Sequence, residues 1–344
     1  MARRILFVIN GFGMGNATRC HALIQRLHGR QCEIHVLTSD KAYTYFQNAP
    51  EIKTLHRQMD INTESHFRYG SLRFFAAYVP FFLKRLYTNF KIQRDLFSRI
   101  PFDDVIFDSD YSFVLHRLML AKRRMIGLNN SVEVLNFFAE FPRELNSKLF
   151  PSFVIEATDY SVHRLFTAVT LCPSLDRQKL RSSGRLPKNF FPYTTVIRKD
   201  LMALPAADDG SVLIMSSSSN VETELSHVSQ RLESFHCVSL ISNFTRDNSN
   251  LLNRAHLVLC NAGQSSLSEC LYLKKRCIVA PIPRHAEQFA NSRLVQSYGP
   301  VVFESGDLTE IVRRVFAMPA PPYQMSPENA EAELNELIED LFSK

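Results

Sequence analysis

The feature that most constrains this chain is a recurrent alternation of short, wholly apolar runs with turns and segments of helical spacing. Ile5–Ile9 is one such run; the turn Gly11–Gly15 follows it, then a helical pattern over Ala17–Leu27 with Leu23, Ile24 and Leu27 on one face. Glu33–Leu37 is a second strand. Val105–Phe107, a helical stretch near Val114–Ala121 and Met125–Leu128 make a further strand–helix–strand unit. The pattern resumes with strands at Ser211–Met215, Cys237–Ile241, Leu257–Cys260 and Cys277–Ala280. Strands that are apolar throughout are buried on both faces, which requires a parallel sheet covered by helices: an α/β, doubly wound architecture.

A chain of 344 residues is too long for one ordinary core and suits two domains of roughly 150 residues each. The strand–helix rhythm loosens between Cys172 and Asp209, a stretch rich in Pro and Ser. The division falls near residues 195–205, giving one Rossmann-like domain over 1–200 and a second over 201–326. A terminal helix spans 327–344, with Ala330, Leu334, Leu337, Ile338 and Leu341 at helical spacing.

An apolar fraction of 45% and a charged fraction of 22% describe a globular protein. The formal charge of +6 suits an anionic ligand or an anionic membrane surface, but is far too small to argue for nucleic acid as a partner. The seven cysteines form no C-x-x-C pair, and several sit inside apolar strands, as reduced core thiols of a cytoplasmic protein do. The apolar run after Arg3-Arg4 breaks at Gly11, too early for a signal peptide, and no run approaches the roughly 18 residues needed to cross a bilayer. The expected location is the cytoplasm.

Two stretches carry chemistry. Asn10-Gly11-Phe12-Gly13-Met14-Gly15-Asn16 follows a strand and opens a helix, where backbone N–H groups and the helix dipole favour an anion. Its G-x-G-x-G spacing is not the dinucleotide fingerprint, and no acidic ribose ligand ends the second strand before Asp40. Asn261-Ala262-Gly263-Gln264-Ser265-Ser266-Leu267-Ser268-Glu269 again runs from strand to helix. Gly263, Ser265 and Ser266 can bind a diphosphate there, and Glu269 can accept hydrogen bonds from ribose hydroxyls. The same residues also satisfy a capping box, Ser266-x-x-Glu269. Pro281-Ile282-Pro283 and the helix start His285-Ala286-Glu287-Gln288-Phe289-Ala290-Asn291 bring Glu287, Gln288 and Asn291 to the same rim, outside the carboxyl ends of the strands.

This pairing of motifs resembles the donor-binding region of GT-B glycosyltransferases, in particular the UDP-glycosyltransferases and the bacterial peptidoglycan GlcNAc transferase. Gly11 to Arg19, Val105 to Asp108 and Gly127 to Asn130 resemble that family's first domain; residues 60–100 and 130–200 match it weakly. The resemblance implies two Rossmann-like domains facing across a cleft, with the terminal helix packing back toward the first. It implies transfer of a sugar from a nucleotide-diphosphate donor, UDP-linked, to an acceptor, inverting and without a metal or other cofactor. On this basis Gly13 and Gly15 border the donor, Gly263, Gln264, Ser265 and Ser266 hold the diphosphate, and Glu269 holds the ribose. Glu287 and Gln288 would hold the sugar, Ser216 and Ser217 would face the phosphates, and Asn243 and Phe244 would lie near the base.

Asn16 stands where many relatives place a histidine that deprotonates the acceptor, and an amide has no usable proton affinity near neutral pH. Asn16 can still orient a hydroxyl. Asp108 or Asp110, at the end of a first-domain strand, can supply the base, although either also reads as a loop residue or helix cap. His21 is a weaker candidate, and Arg19 reads as an anion or structural contact. Over residues 67–97, aromatics interleave with Arg68, Arg73, Lys84, Arg85, Lys91 and Arg94. That pattern fits a peripheral helix on the inner face of an anionic membrane, a pocket for a lipid-linked acceptor, or a core helix with a solvated basic side. The missing histidine keeps two other readings open: a nucleotide-sugar hydrolase or epimerase of the same fold, and a non-catalytic sugar-nucleotide-binding subunit.

Overall fold

All strand pairs among the described residues of the computed structural model are parallel, as strands without polar alternation require. The structure describes residues 2–11, 14–30, 32–59, 72–119, 124–195, 197–215, 238–241, 248–303, 305–321 and 327–342. The first sheet contains β1 (Arg4–Ile9), β2 (Glu33–Thr38), β3 (Thr54–Arg57), β4 (Asp104–Asp108), β5 (Arg124–Leu128), β6 (Val169–Ser174) and β7 (Phe190–Thr194), in the order β3-β2-β1-β4-β5-β6-β7. The second contains β8 (Val212–Met215), β9 (Val238–Ile241), β10 (Leu257–Cys260), β11 (Arg276–Val279) and β12 (Val301–Val302), in the order β12-β11-β10-β8-β9.

In both sheets the order reverses about a central pair, β1 with β4 and β8 with β10. Helices leaving a doubly wound sheet on opposite faces at such a point open a crevice beyond the strand ends. The helices are α1 (Met14–His28), α2 (Asp40–Phe46), α3 (Leu72–Arg99), α4 (Phe113–Met119), α5 (Ser131–Glu140), α6 (Phe150–Phe166), α7 (Arg177–Ser182) and α8 (Lys199–Met202) in the first half. They continue as α9 (Asn248–Arg254), α10 (Gln264–Tyr272), α11 (Ala286–Gln296), α12 (Leu308–Phe316) and α13 (Pro327–Phe342).

The side-chain period of two along β1 sends Ile5, Phe7 and Ile9 to one core with α1, α2 and α13, and Leu6 and Val8 to another beneath α3 and α4. All five are fully buried, which is why this strand is uniformly apolar. The terminal helix α13 lies on the first sheet's side: Leu334, Ile338 and Leu341 enter the α1–α2 core. Its last carbonyls accept from Arg3 (Nη1 to Phe342 O, 2.7 Å) and Arg124 (Nη1 to Leu341 O), so cations cap the negative end of the helix.

The stretch Cys172–Asp209, loose by sequence, contains the end of β6 and all of β7. Pro173 and Pro192 disguise them. Proline is tolerated in β7 because it is an edge strand with a neighbour on one side only. Between residues 79 and 99, α3 buries Leu86, Asn89, Phe90, Gln93, Leu96 and Phe97 and exposes Val79, Leu83 and Tyr87. Its inner face is core; its first exposed turns carry an apolar stripe. Arg68 lies outside the described residues, as does the Arg73 side chain.

Candidate active site

The site forms where the carboxyl ends of the two sheets meet. Asn10 extends β1 by donating to Asp108 O at 3.0 Å. Gly11 then passes so close to the end of β2 that a Cβ would sit 1.9 Å from Ser39 O, which explains the glycine. Helix α1 begins three residues later, with Gly15 exposed at its first turn. Opposite it, β10 ends at Cys260 and α10 begins at Gln264, its N-cap Gly263 offering no side chain. The Ser266–Glu269 capping box therefore does not form. The helix starts three residues too early for it, and the first-turn N–H groups keep no side-chain acceptor. A Cβ at Gly263 would meet nothing within 4 Å, so the space in front of those donors is open. The two helix starts touch: Ser265 Oγ donates to Gly15 O at 3.1 Å.

The second rim motif also reaches across. Glu287, in the first turn of α11, accepts from Asn130 Nδ2 at 2.9 Å. Ala286 N donates to Ser152 Oγ of α6 at 3.0 Å. Gln288 is buried, with Oε1 accepting from Ile282 N at 2.9 Å. Asn291 and Asn261 brace the loop by donating to Ala262 O and Ala280 O, each at 3.0 Å. Gln264 turns its amide to Pro173 O at 2.6 Å, so its side chain bridges the domains and only its backbone faces the open space. Glu269 is buried and accepts from Arg198 Nε at 2.9 Å through Oε1. Burial pushes the Arg198 guanidinium down, but the charges of Glu269 and Asp200 and the hydrogen bond to Glu269 outweigh it and hold its pKa up. Gly13, Ser216, Ser217, Asn243 and Phe244 lie outside the described residues.

Both aspartates expected as bases are buried and hydrogen-bonded within the first domain. Asp108 is fully buried and accepts from Arg19 Nε at 2.7 Å, from Arg19 Nη2, from Cys20 Sγ at 3.2 Å and from Ser109 Oγ at 3.1 Å. A carboxylate with that many donors and no exposure has no oxygen left for an acceptor hydroxyl. Asp110 is equally buried. It accepts from Gln58 Nε2 at 2.9 Å and Ser112 N at 3.0 Å, in a network that runs through Gln93 to His116 beneath α3. Burial pushes its pKa up, while the bonds from Ser112 and Gln58 pull the other way. His21 is buried against Tyr45 OH at 2.8 Å and Glu51. Arg19 is the structural partner of Asp108. Asn16, half-buried at the first turn of α1, makes no side-chain hydrogen bond among the described residues.

Sequence reasoning missed Ser131, Ser152, Glu156, Asp159 and Arg198, because α5, α6 and the β7–α8 connection carry no motif. Helix α6 lies against α5 and α11 and lines the first-domain wall. Sequence spacing also concealed a thiol group: Cys260, Cys270 and Cys277 bring their sulfurs within 4.8 Å of one another, with 3.6 Å between Cys260 and Cys277. All three are buried among Leu213, Val258 and Leu267, directly under the α10 loop, and pack there as small apolar groups.

Two doubly wound parallel sheets whose strand ends face one another, with two helix starts meeting between them, define the GT-B class of nucleotide-sugar glycosyltransferases. A model of glycosyl transferase family 1 matches residues 3–318, and the chain belongs to that family. It is a glycosyltransferase. Among solved structures, LpCGTa in complex with UDP matches with a TM-score of 0.66 at 15% identity, covering 100% of this chain and 99% of that one. Arabidopsis thaliana UGT89C1 matches in its quercetin complex (TM-score 0.67, 13% identity, 99% and 100% covered) and in its UDP-L-rhamnose complex (0.63, 14%, 99% and 99%). No curated protein matches. No helix among the described residues is long and apolar enough to cross a membrane.

Proposed function

We propose that the protein transfers a sugar from a UDP-linked donor to an acceptor hydroxyl in glycan or glycoconjugate biosynthesis, with inversion at the anomeric carbon. The observation that carries this reading is the uncapped start of α10 facing Gly15 across the cleft, with Glu287 beside it. Free first-turn N–H groups and the Ser265 and Ser266 hydroxyls suit a diphosphate. Glu287, held from one side by Asn130, keeps a second oxygen for sugar hydroxyls. Gln288 adds an amide, and Glu269 supplies the ribose contact through the oxygen that Arg198 leaves open. Neutralisation of the leaving diphosphate by helix-end donors makes a bound metal unnecessary. UDP, rather than another nucleotide, is favoured by the UDP and UDP-L-rhamnose complexes of the similar structures.

The exposed Val79, Leu83 and Tyr87 stripe of α3, with Arg85 and Lys91 beside it, supports a peripheral position on the cytoplasmic face of an anionic membrane. A lipid-linked acceptor would then approach from the first domain. Calorimetric titration of UDP, UDP-glucose and UDP-N-acetylglucosamine, in EDTA, tests the donor reading. Binding that persists without metal and weakens in Ser265→Ala is expected; no binding of any of these nucleotides would overturn it.

A further inference from the structure

With Asp108 and Asp110 buried in hydrogen-bond networks of their own, the reaction calls for another group to accept the proton of the acceptor. Helix α6 supplies one. Ser152, which accepts from the first N–H of α11, is one helical turn before Glu156, so Glu156 follows it on the same face of α6. The dipeptide Asn130-Ser131 then binds a carboxylate with each residue. Asn130 donates to Glu287 Oε1 at 2.9 Å, and Ser131 Oγ donates to Glu156 Oε2 at 2.6 Å. Glu156 is thereby placed next to the residue proposed to hold the donor sugar.

Glu156 is half-buried, and among the described residues the Ser131 hydroxyl is its one hydrogen-bond donor, leaving Oε1 free. The charged groups that act on it come from three elements: Glu287 of α11, Asp159 of α6 and Arg19 of α1. Arg19 is three residues beyond Asn16, hence on the same side of α1. Glu156 therefore feels charges both from the helix that carries Asn16, where relatives have their histidine, and from the helix that carries the sugar-binding pair.

We propose that Glu156 is the catalytic base, taking the acceptor proton on Oε1 while Asn16 orients the acceptor hydroxyl. This rests on the transfer reading above. As the proton moves to Glu156, the acceptor oxygen bonds to the anomeric carbon. The bond from that carbon to the diphosphate breaks, and its electron pair leaves with the diphosphate toward the start of α10. Protonated Glu156 then returns its proton to solvent. The surroundings suit the role: desolvation and then the facing Glu287 and Asp159 charges push its carboxyl well above the ordinary range, which raises its proton affinity as a base requires. Ser131 fixes the orientation of the carboxyl and shares its hydroxyl with Asp159 at 3.0 Å.

The test compares wild type, Glu156→Gln and Glu156→Asp with UDP-glucose and UDP-N-acetylglucosamine, using water, phenol and 4-nitrophenol as probe acceptors. UDP release and UDP affinity are both measured. Glu156→Gln should lower UDP release to water and phenol by ~10²–10⁴-fold, leave UDP affinity within about twofold, and remove the acidic limb of the kcat/KM profile. Transfer to 4-nitrophenol at mildly alkaline pH should fall far less, because that acceptor arrives already ionised. Glu156→Asp should retain part of the activity and keep a shifted acidic limb. Unchanged turnover in Glu156→Gln, or an equal loss with all three acceptors, overturns the assignment of Glu156. Wild-type protein that binds no UDP-sugar overturns the transfer reading itself, so the two failures are distinguishable.

Discussion

Asp108→Asn separates a structural carboxylate from a catalytic one. Asp108 is fully buried and receives two guanidinium N–H groups of Arg19, the Cys20 thiol and the Ser109 hydroxyl. The amide would lose the charge and turn an NH2 toward one of those donors. Breaking a buried ion pair from one side costs about 3–5 kcal/mol, because the remaining charge stays desolvated and unpaired. That is ~2–4 powers of ten in the folding equilibrium, a large part of a total stability of about 5–15 kcal/mol. Urea denaturation of Asp108→Asn, Arg19→Met and the double variant should show each single change nearly as damaging as the pair, a strong coupling between adjacent sites. With active sites counted by UDP binding, kcat per folded molecule should stay within about tenfold, well short of the ~10²–10⁴ that loss of a base produces. A variant that melts like wild type, yet loses its turnover and the acidic limb of its pH profile, would refute the structural reading and return Asp108 to the mechanism.

Gly11→Ala places a Cβ 1.9 Å from Ser39 O, at a point where Thr38 Oγ1 also donates to Ile9 O at 2.8 Å. Since both strand ends are pinned, the loop before α1 must shift. A loss of about 1–3 kcal/mol and weaker UDP-sugar binding are expected in melting and calorimetry, and a variant matching wild type in both would contradict the geometry. Burial pushes the Glu133 carboxyl up to about 7, against the pull of hydrogen bonds from Ser174 and from the backbone of Asp176 and Leu175. Because the folded pKa lies above the unfolded value of ~4.3, its stabilising contribution is complete below that value and is lost as pH rises through about 7. Glu133→Gln should flatten the decline in unfolding free energy between roughly pH 4 and 7; parallel wild-type and variant curves would contradict this.

The strands flanking the two switch points were legible because burial on both faces makes them uniformly apolar. Ile5–Ile9, Val105–Phe107, Ser211–Met215 and Leu257–Cys260 all read directly as strands. β6 and β7 did not, since Pro173 and Pro192 mimic loop chemistry at a sheet edge. In the site, the helix starts were legible from Gly11, Gly15 and Gly263, whose positions follow from close backbone approach or open space. What sequence could not supply was the partner of each carboxylate. Asp108 and Asp110 stand at a strand end like catalytic acids, and only the fold shows Arg19 and Gln58 already bound to them. Conversely, Glu156 sits in an unremarkable helix, Phe150–Phe166, and gains its meaning from Ser131 and Glu287, which are 25 and 131 residues away in sequence.

The bonds that join the two halves at the cleft are made by groups the ligands would also use. Ser265 Oγ donates to Gly15 O, and Glu287 accepts from Asn130. A diphosphate in front of α10 competes for the Ser265 hydroxyl, and sugar hydroxyls compete for the Glu287 carboxylate. Each such hydrogen bond contributes only about 0.5–1.5 kcal/mol net, so exchanging protein partners for ligand partners is nearly free. Gln264 to Pro173 O and Ala286 N to Ser152 Oγ involve no group assigned to the ligand and can persist through that exchange. Ser152 thus keeps α6 against the start of α11 whether or not donor is present. Glu156, one turn further along α6, stays beside the sugar site throughout, so donor binding need not rebuild the first-domain wall to bring a carboxylate to the reacting carbon.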